Sequence, residues 1–155
     1  MKTCKIVFSI IYIILIVFCF FNSLQSANAS SEMSGGITNY IVIFIEKILS
    51  NDNLDYNIIH IVVRKVIGHY LYHVLVGTVG IIVYLLFLNN HKKSFIVAIT
   101  VSLMLSIISE LLQLFAEGRS FSVFDILINY SGFITGIICF EIGYKIKKQK
   151  KQNVS

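Results

Sequence analysis

Proline and tryptophan are both absent from this chain of 155 residues, and acidic side chains number only 8. Without proline there is no fixed helix kink and no polyproline linker, and without tryptophan there is no indole anchor for a membrane boundary. Cysteine is sparse too. Cys4, Cys19 and Cys139 form no close-spaced pair, which excludes a disulfide framework and a cysteine zinc site. Two of them fall in apolar runs, where cysteine packs as a small hydrophobe. No P-loop, dinucleotide fingerprint, serine nucleophile motif or H-E-x-x-H is present, so no cofactor and no metal is expected. What fills the chain is hydrocarbon. With 56% hydrophobic residues and a mean hydropathy of +0.80, it is too apolar for a soluble domain of its size. The expected class is an all-α membrane protein, a bundle of about four transmembrane helices with an additional short interfacial helix. The net charge of +5 does not indicate a nucleic-acid partner, because the lysines gather at segment ends and in the tail KIKKQKKQ.

Lys2 and Lys5 precede an apolar run from Ile6 to Phe21, about 24 Å long as a helix against a hydrocarbon core of roughly 30 Å. The run also resembles a secretory signal, since Ala27-Asn28-Ala29 follows it, and retention is preferred over cleavage. Bulky Phe18 before Cys19 argues against a lipoprotein anchor. From Asn22 to Asn39 the composition turns to Ser, Asn, Gln and Gly and reads as a loop. Ile37 to Leu49 is too short to span and reads as an interfacial or lid helix, broken by Asn51-Asp52-Asn53. A second span is expected from Gly68 to Leu88, a third from Ser94 through Ile108, and a fourth from Val123 to Tyr144, where Glu141 is expected to pair with tail lysines. The resulting plan is a first transmembrane helix over 1–22, an extracytoplasmic loop over 23–67 with an amphipathic helix at 37–49, a three-helix core over 68–144 and a basic cytoplasmic tail over 145–155.

Orientation follows from lysine placement. With four spans, nine lysines (Lys2, Lys5, Lys92, Lys93, Lys145, Lys147, Lys148, Lys150 and Lys151) share one side, while Lys47, Arg64, Lys65 and Arg119 fall on the other. The positive-inside rule then places a multi-pass protein in the cell membrane with both termini in the cytoplasm. Arg64, Lys65, His69, Glu110, Gln113, Arg119, Asp125 and Asn129 accordingly converge on the outer leaflet, although they are far apart in sequence.

Residues three and four apart share a helix face. Glu110 therefore neighbours Gln113, Asp125 neighbours Asn129, and Lys65, His69 and His73 form one stripe. Gly132 and Gly136 continue the Asp125–Asn129 stripe as a G-x-x-x-G pair that admits another helix closely. An ionisable group in a membrane segment costs roughly 3 kcal/mol or more, so Glu110 and Asp125 are functional candidates. Their chemistry stays open. Glu110 with Arg119, or Asp125 with Arg64, reads as structural ion pairing. Arg64, Lys65 and Arg119 also suit phospholipid headgroups. A sharper reading has the cations bind an anionic headgroup or pyrophosphate, with His69, Glu110 or Asp125 as acid or base. The i, i+4 spacing of His69 and His73 matches zinc ligands but lacks the accompanying motif.

Glu110, Gln113, Gly118-Arg119, Asp125, Asn129, Gly132 and Gly136 together closely resemble the VanZ-like family, small membrane proteins named for a teicoplanin-resistance protein. Phe21-Asn22-Ser23-Leu24-Gln25 resembles the family's segment after its first helix, and Arg64-Lys65 with Gly68-His69 its R-K…H block. The resemblance covers about residues 10 to 140. Arg64 and His69 have four residues between them where the family usually has three, Tyr72 and His73 stand where members often carry an acid and a tyrosine, and Glu117 stands where proline is frequent. The resemblance implies a four-span helical protein, a retained first helix, and a role in lowering susceptibility to teicoplanin-type glycopeptides. The partners it suggests are membrane lipids and a lipid-linked cell-wall intermediate or a glycopeptide. An enzyme acting on a lipid headgroup and a structural or partner-binding module stand as alternatives.

Overall fold

The computed structural model describes residues 2–49, 61–62 and 65–152, and among them every regular element is helical. Helix α1 covers Lys2–Leu24 and α2 Ala27–Leu49; a π-helical segment, Lys65–Leu71, runs directly into α3, Tyr72–Leu88; α4 covers His91–Gln113 and α5 Val123–Gln152. Among the described residues four stretches are long and apolar enough to cross a bilayer: Lys2–Leu24, Gly68–Leu88, His91–Gln113 and Val123–Lys150. Helices satisfy their backbone internally, which lipid demands. The chain is an all-α, multi-pass membrane protein. At 23 residues, α1 reaches about 34 Å and spans the hydrocarbon core without shortfall.

Several boundaries differ from those read in the sequence. The stretch expected as a loop up to Asn39 is helical from Ala27 onwards, so the helix expected at 37–49 is longer. Its start is held from two directions: the Ala29 N–H donates to Ser26 Oγ at 3.3 Å, and the Ala27 N–H donates to the Glu117 carbonyl at 3.0 Å. An N-cap serine and an anchored first turn offset the weak helix propensity of the Ser, Asn and Gly that follow. Helix α4 starts at His91, three residues before the expected Ser94, because the Asn90 side chain caps it by accepting the Lys93 N–H at 3.0 Å. Asn89, at φ 49, supplies the left-handed residue that ends α3. Helix α5 continues through the basic tail to Gln152. Arg64 and the Asn51-Asp52-Asn53 break lie outside the described residues.

Helix α3 is the centre of the bundle, with α1, α4 and α5 packed around it. It runs parallel to α5, and their side chains meet at a constant offset: Lys65 on Asp125, His69 on Asn129, His73 on Phe133. Glycine permits this closeness. A Cβ on Gly132 would lie 2.5 Å from the Tyr70 carbonyl oxygen, and one on Gly136 would lie 2.1 Å from that of Val74. The close approach expected of the G-x-x-x-G pair is made by α3, and the Thr78 hydroxyl donates across it to the Gly136 carbonyl at 3.2 Å. Beneath lies an apolar core of Tyr12, Val76, Val79, Val83 and Phe133, continued by Ile81, Ala98 and Ile137. Tyr12 ties α1 to α3 through a 2.9 Å hydroxyl contact with Tyr84. The opposite flank of α1, including Ile6, Ile13, Ile14 and Val17, is exposed, as a lipid-facing surface must be.

Candidate polar site at one end of the bundle

The end of α1, the π-helical segment, the end of α4 and the start of α5 meet at one end of the bundle. Ser122 caps α5 by accepting the Asp125 N–H on its hydroxyl at 3.2 Å, which sets Asp125 in the first helical turn, where a helix favours negative charge. Facing it, Lys65 places its Nζ 2.8 Å from Asp125 Oδ1. The sequence reading paired Asp125 with Arg64, one residue earlier.

One turn deeper, His69 Nδ1 lies 2.9 Å from Asn129 Oδ1, and Asn129 Nδ2 donates to Ser109 Oγ at 3.4 Å. Because the amide oxygen can only accept, Nδ1 of His69 carries the proton. The Ser109 hydroxyl in turn donates to the Ser106 carbonyl at 2.9 Å, so one chain of polar groups joins α3, α5 and α4. A turn deeper again, His73 Nδ1 donates to the His69 carbonyl, and the remaining ring nitrogen accepts from the Cys19 thiol at 3.6 Å. Cys19 thus has a polar partner beyond the packing role read from the sequence.

Glu110 is the most enclosed charge-bearing group, with a relative exposure of 0%. Gln113 Nε2 donates to its Oε1 at 2.5 Å, as the i, i+3 spacing anticipates. Its Oε2 is buried and has no hydrogen-bond partner among the described residues. The Ser122 backbone N–H also donates to the Glu110 carboxyl group, and the charges of Asp125 and Arg119 reach it. Arg119 also donates to the backbone carbonyl of Asn22 at 3.0 Å, drawing the end of α1 onto the α4–α5 loop, and Asn22 Oδ1 is another buried acceptor without a hydrogen-bond partner among the described residues. Exposure therefore falls from Lys65 at 41% through Asp125 at 15% to Glu110.

Seven of the eight residues singled out in sequence are described, and they occupy this one end: Lys65, His69, Asp125 and Asn129 along the α3–α5 seam, Glu110 and Gln113 on α4, and Arg119 in the loop. Arg64 lies outside the described residues. Sequence reasoning missed Ser109 and Asn22. Ser109 carried a signal, because it precedes Glu110 and stands four residues before Gln113, on the same face; Asn22 carried only its polarity at the end of an apolar run. Glu141, expected to pair with tail lysines, sits instead 3.2 Å from His91 Nε2, at the other end of the bundle.

No curated protein and no solved structure matches the chain. The model of the VanZ/LLP1 family matches residues 8–144, which takes in most of each of the four spans and every residue of the polar end, and the chain belongs to this VanZ-like family.

Proposed function

We propose that the polar end faces the outside of the cell membrane and recognises the polar part of an amphiphile, a lipid headgroup or an acylated glycopeptide, and that this lowers susceptibility to teicoplanin-type antibiotics. Both termini are then cytoplasmic, in keeping with the nine lysines on their side. One observation carries the reading: a fully buried carboxylate, Glu110, keeps an oxygen with no hydrogen-bond partner among the described residues, at the membrane-boundary end of the bundle. Leaving such an atom unmet costs stability, about 1–3 kcal/mol or more for a charged group, which a purely structural role does not repay. Teicoplanin's acyl chain brings it to the membrane surface, within reach of a site at this depth. Membership of the family supports the link to glycopeptides.

A second reading, in which the polar residues only lock helices together, is favoured by the His69–Asn129–Ser109 chain. Expression in a sensitive host, with teicoplanin and vancomycin compared, separates the two. The proposal expects a raised teicoplanin threshold that Glu110→Gln and Asp125→Asn abolish at unchanged protein level. Equal susceptibility with and without the protein refutes it, and a fall in protein level for both variants supports the structural reading.

A further inference from the structure

We infer that the buried part of the site takes a hydrogen-bond donor, the primary ammonium of a lipid headgroup, with Glu110 Oε2 as its acceptor. This deepens the proposed recognition of an amphiphile and rests on it. Each donor side chain described at this end already makes a bond: Lys65 to Asp125, Gln113 to Glu110 Oε1, His69 to Asn129, Asn129 to Ser109, and Arg119 to the Asn22 carbonyl. Among the described residues three buried acceptors at this end make no hydrogen bond, Glu110 Oε2, Asn22 Oδ1 and Asp125 Oδ1; Asp125 has its ion pair with Lys65, while Glu110 and Asn22 are grouped around Arg119. A carboxylate cannot donate, and a second anion beside Glu110 and Asp125 meets like charge. A primary ammonium brings three N–H donors and a compensating charge, and charge-assisted bonds of this kind are the strong ones.

The test uses the full chain purified in detergent and titrated with three lipids of matched acyl chains, binding being read by native mass spectrometry. Phosphatidylethanolamine offers a primary ammonium, phosphatidylcholine a cation without N–H, and phosphatidylglycerol a net anion. The inference expects phosphatidylethanolamine to bind about tenfold or more tightly than either of the others. Glu110→Gln should erase the preference. Should that variant not fold, the comparison with phosphatidylcholine on the unmodified protein still isolates the N–H donors. Phosphatidylglycerol binding as well as or better than phosphatidylethanolamine overturns the inference and leaves recognition of an amphiphile standing, whereas retention of none of the three overturns both.

Discussion

Replacing Gly136 by alanine adds one methyl group at the tightest point between α3 and α5. That carbon would sit 2.1 Å from the Val74 carbonyl oxygen and 2.9 Å from both the backbone nitrogen and the hydroxyl of Thr78. Two of these three atoms are backbone and cannot rotate away. Restoring an ordinary contact of roughly 3.4 Å needs the helices to part by about 1.3 Å, which forfeits a good share of the dispersion along the seam. Overpacking of this kind costs about 1–3 kcal/mol, and the bond from Thr78 to the Gly136 carbonyl adds about 1 kcal/mol. Against that, alanine regains about 1 kcal/mol of helix propensity over glycine. The net expectation is a destabilisation of about 1–3 kcal/mol, or a fall in Tm of roughly 2–10 °C. Gly143→Ala is the matched control, because nothing lies within 4 Å of its added carbon, and it should hold or raise Tm. Thermal unfolding followed by circular dichroism in one detergent compares the two. Equal Tm for Gly136→Ala and the unmodified chain would refute the close helix contact, and with it the register that aligns Lys65 and His69 with Asp125 and Asn129.

Asn129→Ala removes the link between half-buried His69 and Ser109 and with it two hydrogen bonds, so it should lower stability by about 1–3 kcal/mol in the same assay. Tyr12→Phe deletes only the 2.9 Å hydroxyl contact with Tyr84 and should cost about 0.5–1.5 kcal/mol while leaving teicoplanin susceptibility unchanged. Lys65→Ala breaks a partly exposed ion pair worth about 1 kcal/mol at most, so protein level should hold; a change in antibiotic threshold at constant level marks Lys65 as part of the recognition surface.

Periodicity and depth made much of this legible in the sequence. The four spans follow from apolar length, and the Asp125–Asn129 and Lys65–His69–His73 stripes from the helical repeat; two parallel helices with such stripes have little choice but to pair them. One hydroxyl follows from general helix chemistry, since Ser106 donates to the Ser102 carbonyl of its own helix, whereas Thr78 shares its proton between the Val74 carbonyl of its own helix and the Gly136 carbonyl of the next. Partner identity was not legible. Which residue ahead of α3 turns towards Asp125 depends on one residue of helical phase, and the π-helical segment that brings Lys65 to it shifts that phase where a regular α-helix would not. Glu141 illustrates the same limit, since His91 enters its surroundings only once the Asn89–Asn90 turn has placed the start of α4 beside the far part of α5. The helicity of α2 depends on a bond to Glu117, about ninety residues distant in sequence, so local composition misjudged it.

Cross-linking tests the gathering of polar side chains at one end most directly. In a chain with Cys4, Cys19 and Cys139 replaced by alanine, Lys65→Cys combined with Asp125→Cys should join under a short thiol-specific cross-linker, because the native side chains approach to 2.8 Å. Lys65→Cys combined with Glu141→Cys should stay unlinked, since Glu141 belongs to the opposite end with His91. Linkage of 65 to 141, with none to 125, would place these residues at opposite ends from those described and remove the site.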